Sequence, residues 1–286
     1  STVSFDPVAY IDCYEDIESL STSVVYSTLE KTVDAFWNAN AVQLQNGLIA
    51  GAMMIHKNPG MKDVLDLFDK TAFPEQEYNG SSADDIFGQI EQISPGSYAA
   101  REYYSWRAMP EKTASSVRAT LKGAVNAVFP AGIRNMMRDK PQVDFRKLGS
   151  EKMALFLITD AAERWQGYYT NLFWHTCIKQ LRKIADVSPG GHLLRPVRLY
   201  FDDFACTSVI NDFDKNISLF RSFGISCMIL LQSQTQLESM YGEDKAAIIR
   251  QNCPVQLYFP GGFDEKSCEL VSKKMDIPFE DVLYAP

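Results

Sequence analysis

The chain has 286 residues, 46 % of them hydrophobic and 22 % charged, with a formal net charge of −8. That apolar content excludes a disordered chain, and the length suits one large domain or two smaller ones. The acidic balance excludes a surface that grips nucleic acid all over. It leaves only local basic candidates, Arg134, Arg138 and Lys140, then Arg146 with Lys147, whose plainer reading is a solvated face.

From about Ile17 to Met137 the apolar residues recur at helical spacing, as in Val33-Phe36-Trp37, Val64-Leu65-Leu67-Phe68 and Val117-Leu121-Val125-Val128. Pro59-Gly60, Pro74, Pro95-Gly96, Pro110 and Pro130 punctuate the pattern as loops and helix starts. The polar, Gly/Ser-rich stretch from Tyr78 to Asp85 reads as an exposed loop. Within the uncharged run from Asn40 to Ile55, Gln43, Gln45 and Asn46 argue against a membrane span, and the run is too short for one. Gly47 and Gly51 there predict close approach of a neighbouring helix in a soluble bundle. Tyr98, Tyr103, Tyr104 and Trp106 read as core rather than as a protein-binding face. This zone is an all-α bundle, assigned to residues 17–142.

From about Val143 the pattern alternates. Lys152 to Thr159 reads as a strand, and Trp165 to Ile184 as a helix with Trp165, Tyr169, Phe173, Cys177 and Leu181 on one stripe. Ser188-Pro189-Gly190-Gly191 is a loop. Further strands are predicted at Val197–Asp202, Ile225–Leu231 and Val255–Phe259. A crossover helix fits Val209 to Phe220, and a last helix starts after Asp264 as N-cap and runs to about Met275. Strand–helix alternation of this kind predicts a parallel sheet with helices on its faces.

The six cysteines, Cys13, Cys177, Cys206, Cys227, Cys253 and Cys268, form no C-x-x-C pair, so neither a zinc framework nor a disulfide scaffold is indicated. A reducing, cytosolic compartment is the natural reading. His56, His175 and His192 are too isolated to suggest a metal cluster, and no nucleophilic triad has a recognisable local signature.

The most informative segment is Val197-Arg198-Leu199-Tyr200-Phe201-Asp202-Asp203-Phe204, an apolar strand whose end presents two adjacent carboxylates. Such an end can hold a hydrated Mg²⁺ and orient a water beside a nucleotide. Alone it is weak, because an Asp at a strand end is as readily a helix cap. Parallel strands, however, align their C-terminal ends on one edge, where ligands bind. Asp203 and Gln232 close consecutive predicted strands and should share that edge.

The stretch from Val197 onward resembles the C-terminal half of the motor domain of type IV secretion coupling proteins, the TraG/TraD-like ATPases of conjugation. The resemblance rests on Asp202-Asp203-Phe204, Arg221-Ser222-Phe223-Gly224-Ile225, Gln232-Ser233, Gln236-Leu237, Tyr241-Gly242 and Asn252-Cys253, in order. Weaker echoes are Phe5-Asp6-Pro7, Phe36-Trp37 and the run from Glu111 to Val117. The chain departs from the family pattern at Asp203, where the family has Glu, at Phe223, where it has a second Arg, and at Cys206-Thr207, where it has a polar-glycine turn. It contains no Gly-Lys dipeptide, so the family's phosphate loop, G-x-x-x-x-G-K-[ST], is not among these residues.

The resemblance implies α/β plus all-α architecture: a partial RecA-like parallel sheet flanked by helices over residues 143–286, the helical bundle, and residues 1–16 as a linker from a motor segment lying elsewhere. It implies ATP and Mg²⁺ as cofactors of the parent protein, with none expected on this piece alone. Asp202 would hold Mg²⁺ directly or through water, Asp203 would orient the attacking water, Arg221 would stabilise phosphate charge within or across subunits, and Gln232 would sense the γ-phosphate. The implied partners are further copies in a hexameric ring, single-stranded DNA, relaxase and accessory DNA-processing proteins or effector cargo, and a type IV secretion channel. The implied location is the cytoplasmic face of the bacterial inner membrane. Two other readings stay open at this point. One is a non-hydrolysing cargo-binding module of a secretion system; the other is an unrelated metal-dependent α/β hydrolase built on Asp202-Asp203.

Overall fold

The computed structural model describes residues 3–27, 34–73, 82–137, 142–159, 164–204, 209–259 and 264–283. The chain divides into two compact units: residues 1–144 with 168–176, and residues 145–167 with 177–286.

The first unit is helical: α1 (Tyr14–Ser27), α2 (Ala35–Ile55), α3 (Met61–Asp69), α4 (Ala83–Ile93), α5 (Tyr98–Arg107), α6 (Glu111–Val128) and α7 (Ala131–Met136). Helix α2 is its axis and packs against α1, α3, α4, α5 and α6. Asp34 starts it by accepting from the Phe36 N–H, and from Ala41 to Ala52 every residue except Gln43 is buried. A helix this apolar on all sides must be surrounded. Small residues let its neighbours come close. A Cβ built on Gly47 would lie 2.9 Å from the Tyr103 backbone nitrogen of α5, and one on Gly51 would lie 2.8 Å from the Phe87 ring. The close approach predicted for these glycines is therefore present; among the described residues no helix is long and apolar enough to cross a membrane.

The aromatic residues of α5 divide by face. Tyr103 and Trp106 are buried, Tyr104 is exposed, and Tyr103 stacks on Phe87 with centroids 3.8 Å apart. The Trp106 indole N–H donates to the Ala114 carbonyl at 3.0 Å, as a buried indole requires. Asp6, also buried, accepts from the Met61 and Val8 N–H groups and so ties the start of the chain to the first turn of α3.

Two sequence expectations are corrected here. Residues 74–81 lie outside the described residues, but the end of the expected loop is helix. Ser82 caps α4 and Asp85 returns the bond to the Ser82 N–H, a capping box that the Ser-Ala-Asp-Asp spelling encodes. Arg134 is not a free patch residue, because its Nε donates to the Phe129 carbonyl and its Nη2 to Asn126, closing the end of α6. Arg138 and Lys140 lie outside the described residues.

Asp84, on α4, accepts from the Tyr103 hydroxyl at 2.8 Å and the Arg107 Nε at 3.0 Å. Burial pushes its pKa up, yet the bonds from Arg107 and Tyr103 outweigh this and hold the carboxyl below its usual range. A carboxyl depressed in the fold stabilises fully above its unfolded pKa and loses that contribution as pH falls through the folded one. Thermal melts across the acid range should therefore show Asp84→Asn losing less stability than the parent chain as pH drops. Parallel acid limbs for the two would refute the assignment.

The second unit holds α8 (Phe145–Ser150), the 177–187 part of α9 (Arg164–Val187), β1 (Val197–Phe201), α10 (Phe213–Phe223), β2 (Ile225–Ile229), α11 (Gln234–Tyr241), α12 (Glu243–Gln251), α13 (Glu265–Met275) and α14 (Phe279–Leu283). Strands β1 and β2 pair in parallel, Val197 opposite Ile225 through Phe201 opposite Ile229. Helix α10 is the crossover between them; its Phe213, Ile217 and Phe220 are buried, as the helical spacing predicted. Gly224, at φ +75°, ends α10 in the left-handed region and turns the chain into β2. The α13 boundaries and its Asp264 cap agree with the sequence expectation.

The expected strands at Lys152–Thr159 and Val255–Phe259 are not strands. Among the described residues neither pairs with anything, and Phe156 and Ile158 are 83 % and 91 % exposed. Val255, Leu257 and Phe259 are likewise exposed. The physical reason is the lack of a neighbour: alternating apolar residues make a strand only beside a strand that supplies hydrogen bonds and a face to pack on. What remains is a two-stranded parallel sheet with helical parts, a fragment of a RecA-type sheet.

Candidate functional site

Strand β1 ends at Phe201, and Asp202 and Asp203 form the turn that follows. Asp203 takes φ +46°, a left-handed conformation that Asp tolerates better than longer side chains. Two backbone bonds fix this turn against the neighbouring strand: the Leu230 N–H donates to the Phe201 carbonyl at 2.9 Å, and the Phe204 N–H donates to the Leu230 carbonyl at 3.1 Å. Phe204 is the anchor. It is buried, with its ring 4.8 Å from Phe213 and stacked 5.5 Å from Tyr241. The apolar residue after the carboxylates thus holds them, exposed, at the strand end.

Gln232 lies just past the end of β2, on the same edge. Its Nε2 donates to Asp203 Oδ1 at 3.2 Å. Because the strands are parallel and in register, the two residues converge although 29 positions apart in sequence. Gln236, on the first turns of α11, donates to the Gln232 Oε1 at 3.5 Å, at the long limit for such a bond. Arg221 is elsewhere. It sits in the last turn of α10, before β2 begins, and is therefore at the opposite edge of the sheet, its side chain in solvent. One chain brings together Asp202, Asp203 and Gln232 and leaves Arg221 out.

Sequence reasoning missed how this edge is braced. Asp264 accepts from the Ser267 N–H that it caps and from the Thr235 N–H and hydroxyl of α11, and the Gln234 N–H donates to the Ser267 hydroxyl. Burial raises the Asp264 pKa, but the bonds from Ser267 and Thr235 win and hold it below the usual carboxylate value. The helix-cap spelling at Asp264 was legible; its second partner was not, since nothing in sequence links it to Thr235. Asp264→Ala should cost about 1 kcal/mol, the typical loss of a helix N-cap, by chemical denaturation. It should also speed hydrogen exchange at the Thr235 amide; an unchanged Thr235 amide would break the link.

The carboxylates suit a cation in part. Asp202 and Asp203 are adjacent and exposed, and a hydrated Mg²⁺ takes one or two carboxylates while keeping waters and phosphate oxygens as its other ligands. The backbone cradle for phosphates is not supplied by these residues, which hold no Gly-Lys dipeptide.

The family model described as "Type IV secretory system Conjugative DNA transfer" matches residues 1–275. The chain belongs to this conjugative DNA-transfer family. The TraG/TraD-like resemblance is thereby established, and an unrelated metal-dependent hydrolase is no longer a reading. No curated protein matches the chain. Among solved structures, the plasmid coupling protein TrwB in complex with the GTP analogue GDPNP superposes with a TM-score of 0.65 at 17 % identity, over 96 % of this chain and 60 % of that one. TrwB with ADP and Mg²⁺ gives 0.64 at 17 % identity, over 96 % and 60 %. The unbound monoclinic form of TrwB lacking its N-terminal segment gives 0.63 at 18 % identity, over 96 % and 58 %. At such identities the likeness is one of fold. The chain spans about 60 % of the length of these coupling proteins.

Proposed function

We propose that the protein containing this chain is a conjugative coupling ATPase, and that these residues form the sensing half of its nucleotide site. The observation that carries the reading is the 3.2 Å bond from Gln232 to Asp203 across the C-terminal edge of two parallel strands. Ligands of open α/β sheets bind at that edge. The TrwB structures with a nucleotide, one of them with Mg²⁺, support a nucleotide in the parent protein.

In this reading the phosphates are gripped by a loop outside these residues. Asp202 would hold Mg²⁺ through water, and bound there the ion would neutralise charge on the β- and γ-phosphate oxygens. Asp203 orients the attacking water and accepts its proton. Gln232 donates to Asp203 while the site lacks a γ-phosphate and turns its amide to that phosphate when one is present. Arg221, at the far edge, acts on the site of an adjacent copy in a ring, where a guanidinium stabilises transition-state charge. The exposed apolar segments at 153–158 and 255–259, which are not strands here, would become strands only where protein outside these residues supplies a partner to pair with. ATP turnover would drive transfer of single-stranded DNA with its relaxase, or of effector cargo, to a type IV secretion channel, from a hexamer at the cytoplasmic face of the inner membrane.

The test compares the full-length protein with the 286-residue chain. Calorimetry should show micromolar Mg-ATP binding by the former and none by the latter. In the full-length protein, Asp203→Asn and Gln232→Ala should lower turnover by about 10²-fold, the scale of losing one positioned polar group, with nucleotide affinity retained. Micromolar binding by the 286 residues alone would overturn the split site. A full-length protein that binds Mg-ATP without turning it over would leave a non-hydrolysing cargo module.

A further inference from the structure

Strand β2 sets Ile225, Cys227 and Ile229 on its more covered face and Ser226 and Met228 on its exposed one. Helix α10 packs on β2 and also on α12. The chain leaving α12 brings Cys253 against Cys227, and the two side chains share a sulfur hydrogen bond although α11 and α12 lie between them in sequence. Gln256 fastens Cys253 there. Its Nε2 donates to the carbonyls of Arg250 and Cys253, each at 3.0 Å, and its Oε1 accepts from the Tyr258 hydroxyl and from Lys274 Nζ of α13. The Cys253 N–H donates to the Arg250 carbonyl at 3.1 Å. Both cysteines are free thiols and only half-buried, within reach of a small solute.

A cysteine in a fold commonly packs as a small hydrophobe. Cys177 and Cys268 do so: both are buried, and burial pushes their thiols up. The Cys227–Cys253 pair is different, because one proton bridges two sulfurs. The bond to Cys253 holds the Cys227 thiol up, and the bond from Cys227 pulls Cys253 down to about 7 against the effect of burial. Thiolate character and access are what make a cysteine reactive to oxidants, and a second thiol beside it converts the first oxidised product into a disulfide.

We propose that Cys253 and Cys227 are a peroxide-reactive dithiol that closes to a reversible disulfide between the end of α12 and β2. The Cys253 thiolate attacks one oxygen of hydrogen peroxide. The O–O bond breaks, the departing hydroxide leaves as water with the proton given up by Cys253, and Cys253 becomes a sulfenic acid. The Cys227 sulfur then attacks the Cys253 sulfur. An S–S bond forms, the S–O bond breaks, and the hydroxide leaves as water with the Cys227 proton. Two thiols and one peroxide give one disulfide and two waters, the sulfurs losing the two electrons that the peroxide gains. The bond closes a loop that contains Gln232, α11 and α12. Any effect on the sensing edge rests on the nucleotide reading; the thiol chemistry does not.

The test treats the reduced 286-residue chain with one equivalent of hydrogen peroxide, blocks remaining thiols with N-ethylmaleimide, and maps disulfides by mass spectrometry without reduction. Trypsin places Cys227 in peptide 222–245 and Cys253 in peptide 251–266, apart from the other four cysteines. The folded chain should give a link between these two peptides as the main product, and dithiothreitol should release it. In 8 M urea, where the fold no longer sets the pair together, that preference should disappear. The Cys206→Ser chain should still form the link. The Cys227→Ser chain should instead hold a sulfenic acid on Cys253 that dimedone traps, several-fold faster than dimedone traps Cys227 in the Cys253→Ser chain. A main product linking either cysteine elsewhere, no link in the folded chain, equal preference in urea, or faster trapping at Cys227 would each overturn the assignment.

Discussion

Arg221→Ala in the full-length protein is expected to lower ATP turnover by about 10³-fold or more, the scale of removing an arginine that stabilises phosphoryl transfer, while nucleotide binding stays near normal. The argument is positional. Arg221 precedes β2 and Gln232 follows it, so the strand itself separates them by about 13 Å along its axis at 3.3 Å per residue. The same chain cannot bring both to one phosphate without rebuilding the sheet. The decisive measurement is complementation. Arg221→Ala subunits keep an intact Asp203, and Asp203→Asn subunits keep an intact Arg221. Mixed before assembly, the two inactive proteins should regain part of the turnover, because some adjacent pairs then combine a good edge with a good arginine. If mixing restores nothing while each variant still assembles, Arg221 does not work in trans.

The second large effect belongs to the helical unit and needs no nucleotide. Gly47→Ala should destabilise the chain by about 2–3 kcal/mol, because the added methyl meets backbone rather than a movable side chain and α2 and α5 must part. Gly51→Ala should cost less, since its methyl meets the Phe87 ring and a Leu67 methyl. Gly88 and Gly123 sit in α4 and α6 with nothing within 4 Å of a built Cβ, and alanine there should stabilise by about 0.5–1 kcal/mol through helix propensity. Urea melts of the four variants test an order, not just a sign. A Gly47→Ala chain as stable as Gly88→Ala would mean that the approach of α5 to α2 is looser than described.

Much of this was legible in the residues, for identifiable reasons. Asp264 and Ser267 spell a cap, and α13 begins where they say. Phe213, Ile217 and Phe220 at helical spacing spell the crossover helix, and α10 buries them, although it runs from Phe213 to Phe223 rather than from Val209 to Phe220. The meeting of Asp203 and Gln232 followed from one rule, that parallel strands bring their C-terminal ends to a common edge. The absence of Arg221 from that edge was implicit in the same rule, since it comes before the strand and not after. What could not be read was anything decided by a partner. Phe156, Ile158, Val255 and Leu257 carry the alternation of strands, but alternation describes what a segment does when paired, not whether a neighbour is there. Arg134 looked like a surface cation because helix-end carbonyls do not show in a sequence, and Ser82-Ala83-Asp84-Asp85 looked like a loop because caps and loops draw on the same residues.

The bracing of Gln232 has a mechanical corollary. A single serine separates it from α11, and α11 is fastened through Gln234 and Thr235 to the start of α13. An amide that swaps a carboxylate for a phosphate in a coupling ATPase would therefore tug a short tether with almost no slack. The arrival or loss of one phosphoryl group would be felt at the C-terminal helices as a displacement rather than dissipated in a loop.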